Sequence, residues 1–289
     1  PGNKAFKLQP HFDRVTSLGA RRILSFGGAW SNHLHALAAC SRQRGIASVG
    51  VIRGEQPAQL SATLADAQHW GMALHFVSRG EYRQRHDAAY CARLARQLQA
   101  DYVIPEGGAD ALGVAGCSGI AELVLQRVPA AARVVVAVGT GATLAGLVAG
   151  LPRSCHVTGI VALKGDGDLG TRVGEAITAT GAMHTAGWNL DTRFHCGGFA
   201  RSNDALELLV LACERQLGLP LEPVYTGKAM LALQRLRASG EWLPQEPVVL
   251  VHTGGLQGRR GFSWLPDQAQ CSVREPTGSG VYCGTGSNR

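Results

Sequence analysis

The chain has 289 residues, of which 45% are hydrophobic and 17% charged, and a formal net charge of +7. That length allows one large domain or two modest ones with a sizeable core. No apolar run reaches the roughly 18–20 residues that span a bilayer. No secretory signal opens the text, and the basic residues are scattered as pairs (Arg21 and Arg22, Arg259 and Arg260) instead of forming a stripe. Neither a membrane nor a nucleic acid is therefore an expected partner, whereas a small anionic substrate suits the charge.

In chain order, short β-branched runs alternate with longer helical stretches. A strand over 22–26 leads to a helix over 31–44, and a strand over 47–52 to a helix over 58–70. A strand over 73–77 precedes a long helix over 81–98. A short strand over 102–105 is followed by a helix running through Glu122. The run 134–138 is a solid apolar strand ending in a glycine-rich turn, and strands over 158–162 and 248–251 enclose helices over 203–217 and 227–238. Such alternation predicts an α/β protein whose parallel sheets carry helices on both faces. The eight cysteines form no C-x-x-C pair, so a zinc site or a thioredoxin motif has no support. Cys40 and Cys213 lie in helical text and read as buried reduced thiols of a cytoplasmic protein.

Parallel sheets bind ligands at the carboxyl ends of their strands, and three such ends are unusual. After the strong strand come Gly139, Thr140, Gly141, Ala142 and Thr143. Small residues before a helix N-terminus can close on a phosphate, although an ordinary strand-to-helix turn has the same composition. Leu144 stands where a dinucleotide fingerprint needs glycine, and no Gly-Lys-Ser/Thr follows for a P-loop. After the first strand, Gly27 and Gly28 precede Ser31, Asn32 and His33. Ser31 is either a helix N-cap or a functional hydroxyl, and no G-x-S-x-G surrounds it. His33 and His35 are two apart and share no helix face, so they make no metal pair.

A phosphate cup, a Ser-Asn turn and a lysine behind Gly2 and Asn3 together suit pyridoxal 5'-phosphate, which needs a Schiff-base lysine, a phosphate site and partners for its ring. In "GNK" with Lys7 behind it, "SFGGAWSNH", "PEGGADALG", "VGTGATLAG", "PVYTGKAM" and "VHTGG", the sequence resembles the fold-type II pyridoxal-phosphate enzymes. The branch is that of 1-aminocyclopropane-1-carboxylate deaminase and D-cysteine desulfhydrase. The six segments occur in family order over about nine-tenths of the chain.

The resemblance implies two three-layer αβα domains with mostly parallel sheets and the cofactor between them, as in the tryptophan synthase β-like fold. A smaller domain over 8–112 is inserted into a larger one made of 1–7 and 113–262. Lys4 is implied to carry the cofactor and to act as base on the substrate α-carbon, and Asn32 to bind the ring hydroxyl. Ser31 is implied to meet the substrate carboxylate or move a proton, and Tyr225 to line the substrate side of the ring. The turn of Gly139, Thr140, Gly141, Ala142 and Thr143 is implied to hold the phosphate. The deaminase pattern carries Glu where this chain has Thr226 and Leu where it has Thr253. A hydroxyl holds a proton on the ring nitrogen less well than a carboxylate does. This weaker electron sink suffices for α,β-elimination of a thiol, so D-cysteine or a related D-amino acid is the expected substrate. The deaminase is the alternative.

Phe199 departs from the pattern, standing where the family usually has a tyrosine. The family also has a few tens of residues ahead of the lysine, which this sequence lacks, and 263–289 reads as an irregular tail. A lysine this near a chain end is expected to be held loosely. A third reading is therefore a truncated family remnant that keeps the site and turns nothing over. The family resemblance also implies a homodimer.

Overall fold

The computed structural model describes residues 2–129, 132–165 and 167–266. The expected tail falls almost wholly outside them.

The first half forms α1 (Asn3–Ser17), β1 (Arg22–Gly27), α2 (Asn32–Arg44), β2 (Ala47–Arg53), α3 (Ala62–His69) and β3 (Met72–Val77). These are followed by α4 (Arg79–Tyr82), α5 (Ala88–Gln97) and β4 (Tyr102–Ile104). The second half forms α6 (Ala111–Arg127), β5 (Arg133–Val138), α7 (Ala142–Gly150), β6 (His156–Val161), α8 (Leu169–Ala179) and β7 (Gly187–Asp191). It ends with α9 (Asp204–Leu217), α10 (Thr226–Ala238), β8 (Val248–Val251) and a 3-10 turn, Leu256–Gly261.

The strands make two four-stranded sheets, in the orders β3-β2-β1-β4 and β7-β6-β5-β8, and every pairing is parallel. Alternation along each central strand fills both faces. Ile23 packs with Leu8, Phe12, Leu34 and Leu64 on one side of the first sheet. Leu24 and Phe26 meet Tyr82, Tyr90 and Leu94 on the other. In the second sheet Val134, Val136 and Val138 pack against helices α6, α7 and α8, while Val135 and Ala137 pack against Ala229, Ala232 and Leu236 of α10. Both halves are thus three-layer α/β/α units, the expected fold class.

Several elements differ from the sequence-based expectation. The long helix over 81–98 is broken: the Asp87 side chain accepts from Tyr90 N–H at 2.7 Å and starts α5 afresh. The helix expected from 58 begins after Ser61, whose hydroxyl caps Leu64 N–H. In both cases a short polar side chain competes for a backbone group and sets the boundary. Three elements were not anticipated, namely α1, α8 and β7. The first hides in the sequence because Lys7 and His11 are buried on it alongside Leu8, Phe12 and Val15, so its apolar stripe covers only one side.

Candidate active site

Each sheet has the same topology. The chain runs outward from its first strand, then returns to place its last strand on that strand's other side. The crevice at such a reversal is where open parallel sheets bind ligands. In the first sheet it lies between β1 and β4, in the second between β5 and β8. The segments "GGAWSN", "PEGGAD", "GTGAT" and "HTGG" are the four loops at these two points.

Lys4 enters this region on the first turn of α1 and is held firmly, contrary to the expectation for a residue near a chain end. Asn3 N–H donates to Thr253 O at 3.1 Å, and Asn3 Nδ2 donates to Thr143 Oγ1 at 2.8 Å. Gly2 has φ +58°, and a Cβ there would stand 2.1 Å from Thr253 O, so only glycine lets the chain lie against this loop. Lys4 Nζ donates to Asn3 Oδ1 at 2.9 Å. Burial, and then the Lys7 cation, bring the Lys4 ammonium down to a pKa of about 7. A lysine in that state supplies a neutral, nucleophilic amine near neutral pH.

Lys7, one helical turn on, is a site residue to which the sequence reading gave no role. It is buried, and donates to Gly107 O at a long 3.3 Å. Gly107 backs onto Thr140, since a Cβ there would be 2.9 Å from Thr140 Cγ2. A buried ammonium thus stands beside the start of α7. That helix begins at Gly141 with φ +93° and no side-chain cap, leaving its first N–H groups without a side-chain acceptor. Free N–H groups, a helix dipole and a desolvated cation together suit a phosphate. Thr143 also has a structural part, with its hydroxyl hydrogen left for a phosphate. It is buried, and its oxygen already accepts from Asn3, so it ties the lysine's neighbour to α7.

Ser31 and Asn32 open α2. Ser31 Oγ accepts from Leu34 N–H at 3.2 Å, which is the N-cap alternative; its hydroxyl hydrogen is left for another acceptor. Asn32 Oδ1 accepts from Gln257 Nε2 at 2.6 Å. His33 points away from the opening: its Nε2 meets Ser25 Oγ at 2.8 Å, and that hydroxyl donates to Ile104 O. With the serine hydrogen so used, Nε2 must carry the imidazole proton. Burial, followed by the Lys4 and Lys7 cations, holds the ring neutral.

The far wall is the start of α10. The Tyr225 ring lies against Gly139, where a Cβ would stand 3.1 Å from Tyr225 Cε1, and burial raises the phenol's pKa. Thr226 is buried, with its hydroxyl oxygen accepting from Glu222 N–H at 2.9 Å. Glu222 is a second residue the sequence reading missed. Its Oε1 accepts from the N–H groups of Tyr225 and Thr226, both at 2.7 Å, and its Oε2 from Val224 N–H at 2.8 Å. Burial lifts its carboxyl to about 7. Buried Lys228 donates to Gly198 O at 2.7 Å and Ala162 O at 3.1 Å, anchoring the loop that carries Phe199. Trp30, Asn32, Phe199, Glu222, Tyr225 and Phe262 line a cavity of about 90 Å³.

A lysine of lowered pKa, with a buried second ammonium and an uncapped helix start near it, suits a phosphorylated aldehyde cofactor. Comparison gives the family. The profile described as "Pyridoxal-phosphate dependent enzyme" matches residues 2–254, and the chain belongs to that family, with pyridoxal 5'-phosphate as its cofactor. A protein of Pyrococcus horikoshii, provisionally named 1-aminocyclopropane-1-carboxylate deaminase, is 26% identical over 89% of this chain and 81% of its own length. A D-cysteine desulfhydrase of Salmonella choleraesuis is 29% identical over 88% and 82%. The crystal structure of an ACC deaminase homologue superposes with a TM-score of 0.79 at 24% identity, covering 89% of this chain and 81% of that one.

Proposed function

We propose that the protein catalyses α,β-elimination on D-cysteine or a related D-amino acid: D-cysteine and water give pyruvate, ammonia and sulfide. The bound cofactor supplies the electron sink for the α-carbanion. With the cofactor held, Lys4, lowered to about 7, would serve as the base for the α-proton. The Tyr225 phenol, kept protonated by burial, lines the substrate side, and the Ser31 hydroxyl hydrogen is available to a substrate carboxylate.

The observation that carries the elimination reading lies at α10. Thr226 stands at the position where the deaminase pattern has a carboxylate, and the neighbouring Glu222 carboxylate is committed to three backbone N–H groups. The Thr226 hydroxyl itself accepts from Glu222 N–H and donates to Glu222 O, so on this reading the ring nitrogen would lack a carboxylate partner at 226, and a weaker sink favours expulsion of a thiolate over opening of a cyclopropane. The deaminase reading is kept alive by the names of the archaeal relatives. Of the two thiols expected to be buried, Cys213 is buried and Cys40 only half-buried; we read both as reduced thiols of a cytoplasmic protein, and a second copy of the chain as the partner, which light scattering tests.

The experiment supplies purified holoenzyme with D-cysteine, L-cysteine and 1-aminocyclopropane-1-carboxylate and measures 2-oxo acid and sulfide. Pyruvate and sulfide from D-cysteine in equal amounts are expected. Release of 2-oxobutanoate from the cyclopropane substrate alone would replace this reading with the deaminase. No product from any of the three would contradict both readings.

A further inference from the structure

Asn32 is an amide with two ends of nearly equal size and opposite hydrogen-bonding sense. The ring oxygen of pyridoxal phosphate is anionic when the cofactor is bound and requires a donor. An Asn32 free to rotate would present its oxygen as readily as its nitrogen, and the wrong rotamer sets two acceptors against each other.

Gln257 breaks that symmetry. It lies in the turn Leu256–Gly261 after β8, on the second sheet, whereas Asn32 heads α2 on the first. Its Nε2 donates to Asn32 Oδ1 at 2.6 Å. The amide nitrogen of Asn32 lies against Gly255, where a Cβ would come within 2.5 Å of Nδ2. No side chain can intrude on Nδ2 there, and Asn32 is among the residues that line the cavity. We propose that Gln257 is a positioning residue: by occupying the Asn32 carbonyl from across the crevice, it fixes Nδ2 as the donor to the cofactor's ring oxygen. Because the two side chains come from different sheets, the donor is set only where both halves of the protein meet. This inference rests on the reading of Asn32 as the ring-oxygen ligand.

The test is cofactor binding, read from the visible band above about 400 nm and from quenching of protein fluorescence on titration with pyridoxal phosphate. Four proteins are compared with the parent: Asn32→Ala, Gln257→Met, Gln257→Glu, and Gln257→Met combined with Asn32→Ala. Equal thermal midpoints establish that each is folded. Loss of one hydrogen bond to a charged oxygen predicts roughly tenfold weaker binding for Asn32→Ala. Gln257→Met, which can neither donate nor accept appreciably, should weaken binding several-fold. Gln257→Glu should be weaker still, because an acceptor at 257 draws Nδ2 away from the cofactor. In the Asn32→Ala background Gln257→Met should change affinity less than about twofold. If Asn32→Ala weakens binding while both Gln257 variants match the parent, Gln257 has no positioning role. A Gln257→Met loss that persists in the Asn32→Ala background likewise overturns the inference. If Asn32→Ala itself leaves affinity unchanged, the assignment of Asn32 fails, and the inference with it.

Discussion

Lys4 and Lys7 sit three residues apart on one helix face, and the second helps set the chemistry of the first. The Lys4 pKa of about 7 lies below its unfolded value of 10.5, with burial the larger cause and Lys7 the next. The unfolded chain therefore holds the extra proton between these values, and Lys4 destabilises the fold most below about pH 7, where it is charged in both states. Its amine becomes reactive as pH rises through 7. The rate of appearance of the visible band on mixing with cofactor should climb through about pH 7 and level off; a midpoint near the ordinary lysine value would contradict the burial argument. Lys7→Met removes the cation beside the phosphate cup. Compared at alkaline pH, where Lys4 is neutral with or without the Lys7 cation, it should weaken pyridoxal phosphate by roughly tenfold or more, as expected for a lost charge-assisted contact, and unphosphorylated pyridoxal much less. Equal losses for both would place the phosphate elsewhere. At this scale the sequence pointed to Lys4, on the first turn of α1, and to Asn32 and the 139–143 turn, which follow the ends of β1 and β5, because motif residues lie next to one another in the text. Glu222 went unnoticed and Lys7 was given no role, because only burial separates a functional charge from a solvated one.

The helix that carries Lys4 owes its placement to a small defect. Pro10 lies inside α1 and has no N–H for the carbonyl of Phe6. That carbonyl turns to α6, where a Cβ on Gly116 would stand 2.1 Å from Phe6 O. The close approach of α1 and α6 sets how far Lys4 reaches into the crevice. Gly116→Ala should destabilise the protein by about 1–3 kcal/mol, the usual cost of overpacking, and weaken the visible band in the fraction that folds. Unchanged unfolding midpoint and unchanged cofactor affinity would show that the contact is slack. The sequence did not reveal α1 as a helix, since its inward face mixes Lys7 and His11 with leucine and phenylalanine. By contrast β5 and α10 were read almost to the residue, one as a continuous apolar run and the other bounded by the "PVYT" turn. Caps at Ser61 and Asp87 decided the boundaries that were misplaced, and a serine or aspartate in helical text looks the same whether it caps or faces water.

Across the whole molecule, the turn Leu256–Gly261 joins the two sheets at the mouth of the crevice. Gln257 reaches Asn32, Gly261 lies against Trp30, and Arg260 pairs with Asp66 of α3. Asp66, held below the usual carboxylate range first by Arg260, also bonds His35 at 3.0 Å. A depressed carboxyl contributes stability above its unfolded pKa and loses it as pH falls through the folded one. Arg260→Ala should therefore cost roughly 0.2–1 kcal/mol near neutrality, since the pair is partly solvated, and the difference from the parent should shrink as pH falls below the ordinary carboxylate value of 3.8. Urea unfolding near pH 7 and near pH 3 checks this; an equal cost at both would assign the loss to packing. The repeated sheet topology, with its two facing reversals, could not be read from strand order in the text, because it is set by which strands pair. The account stands or falls on Lys4. Borohydride reduction of the holoenzyme, followed by peptide mass mapping, should place the phosphopyridoxyl group on Lys4 alone, and Lys4→Ala should show no visible band. A label on Lys7 or Lys228, with the band surviving in Lys4→Ala, would contradict it.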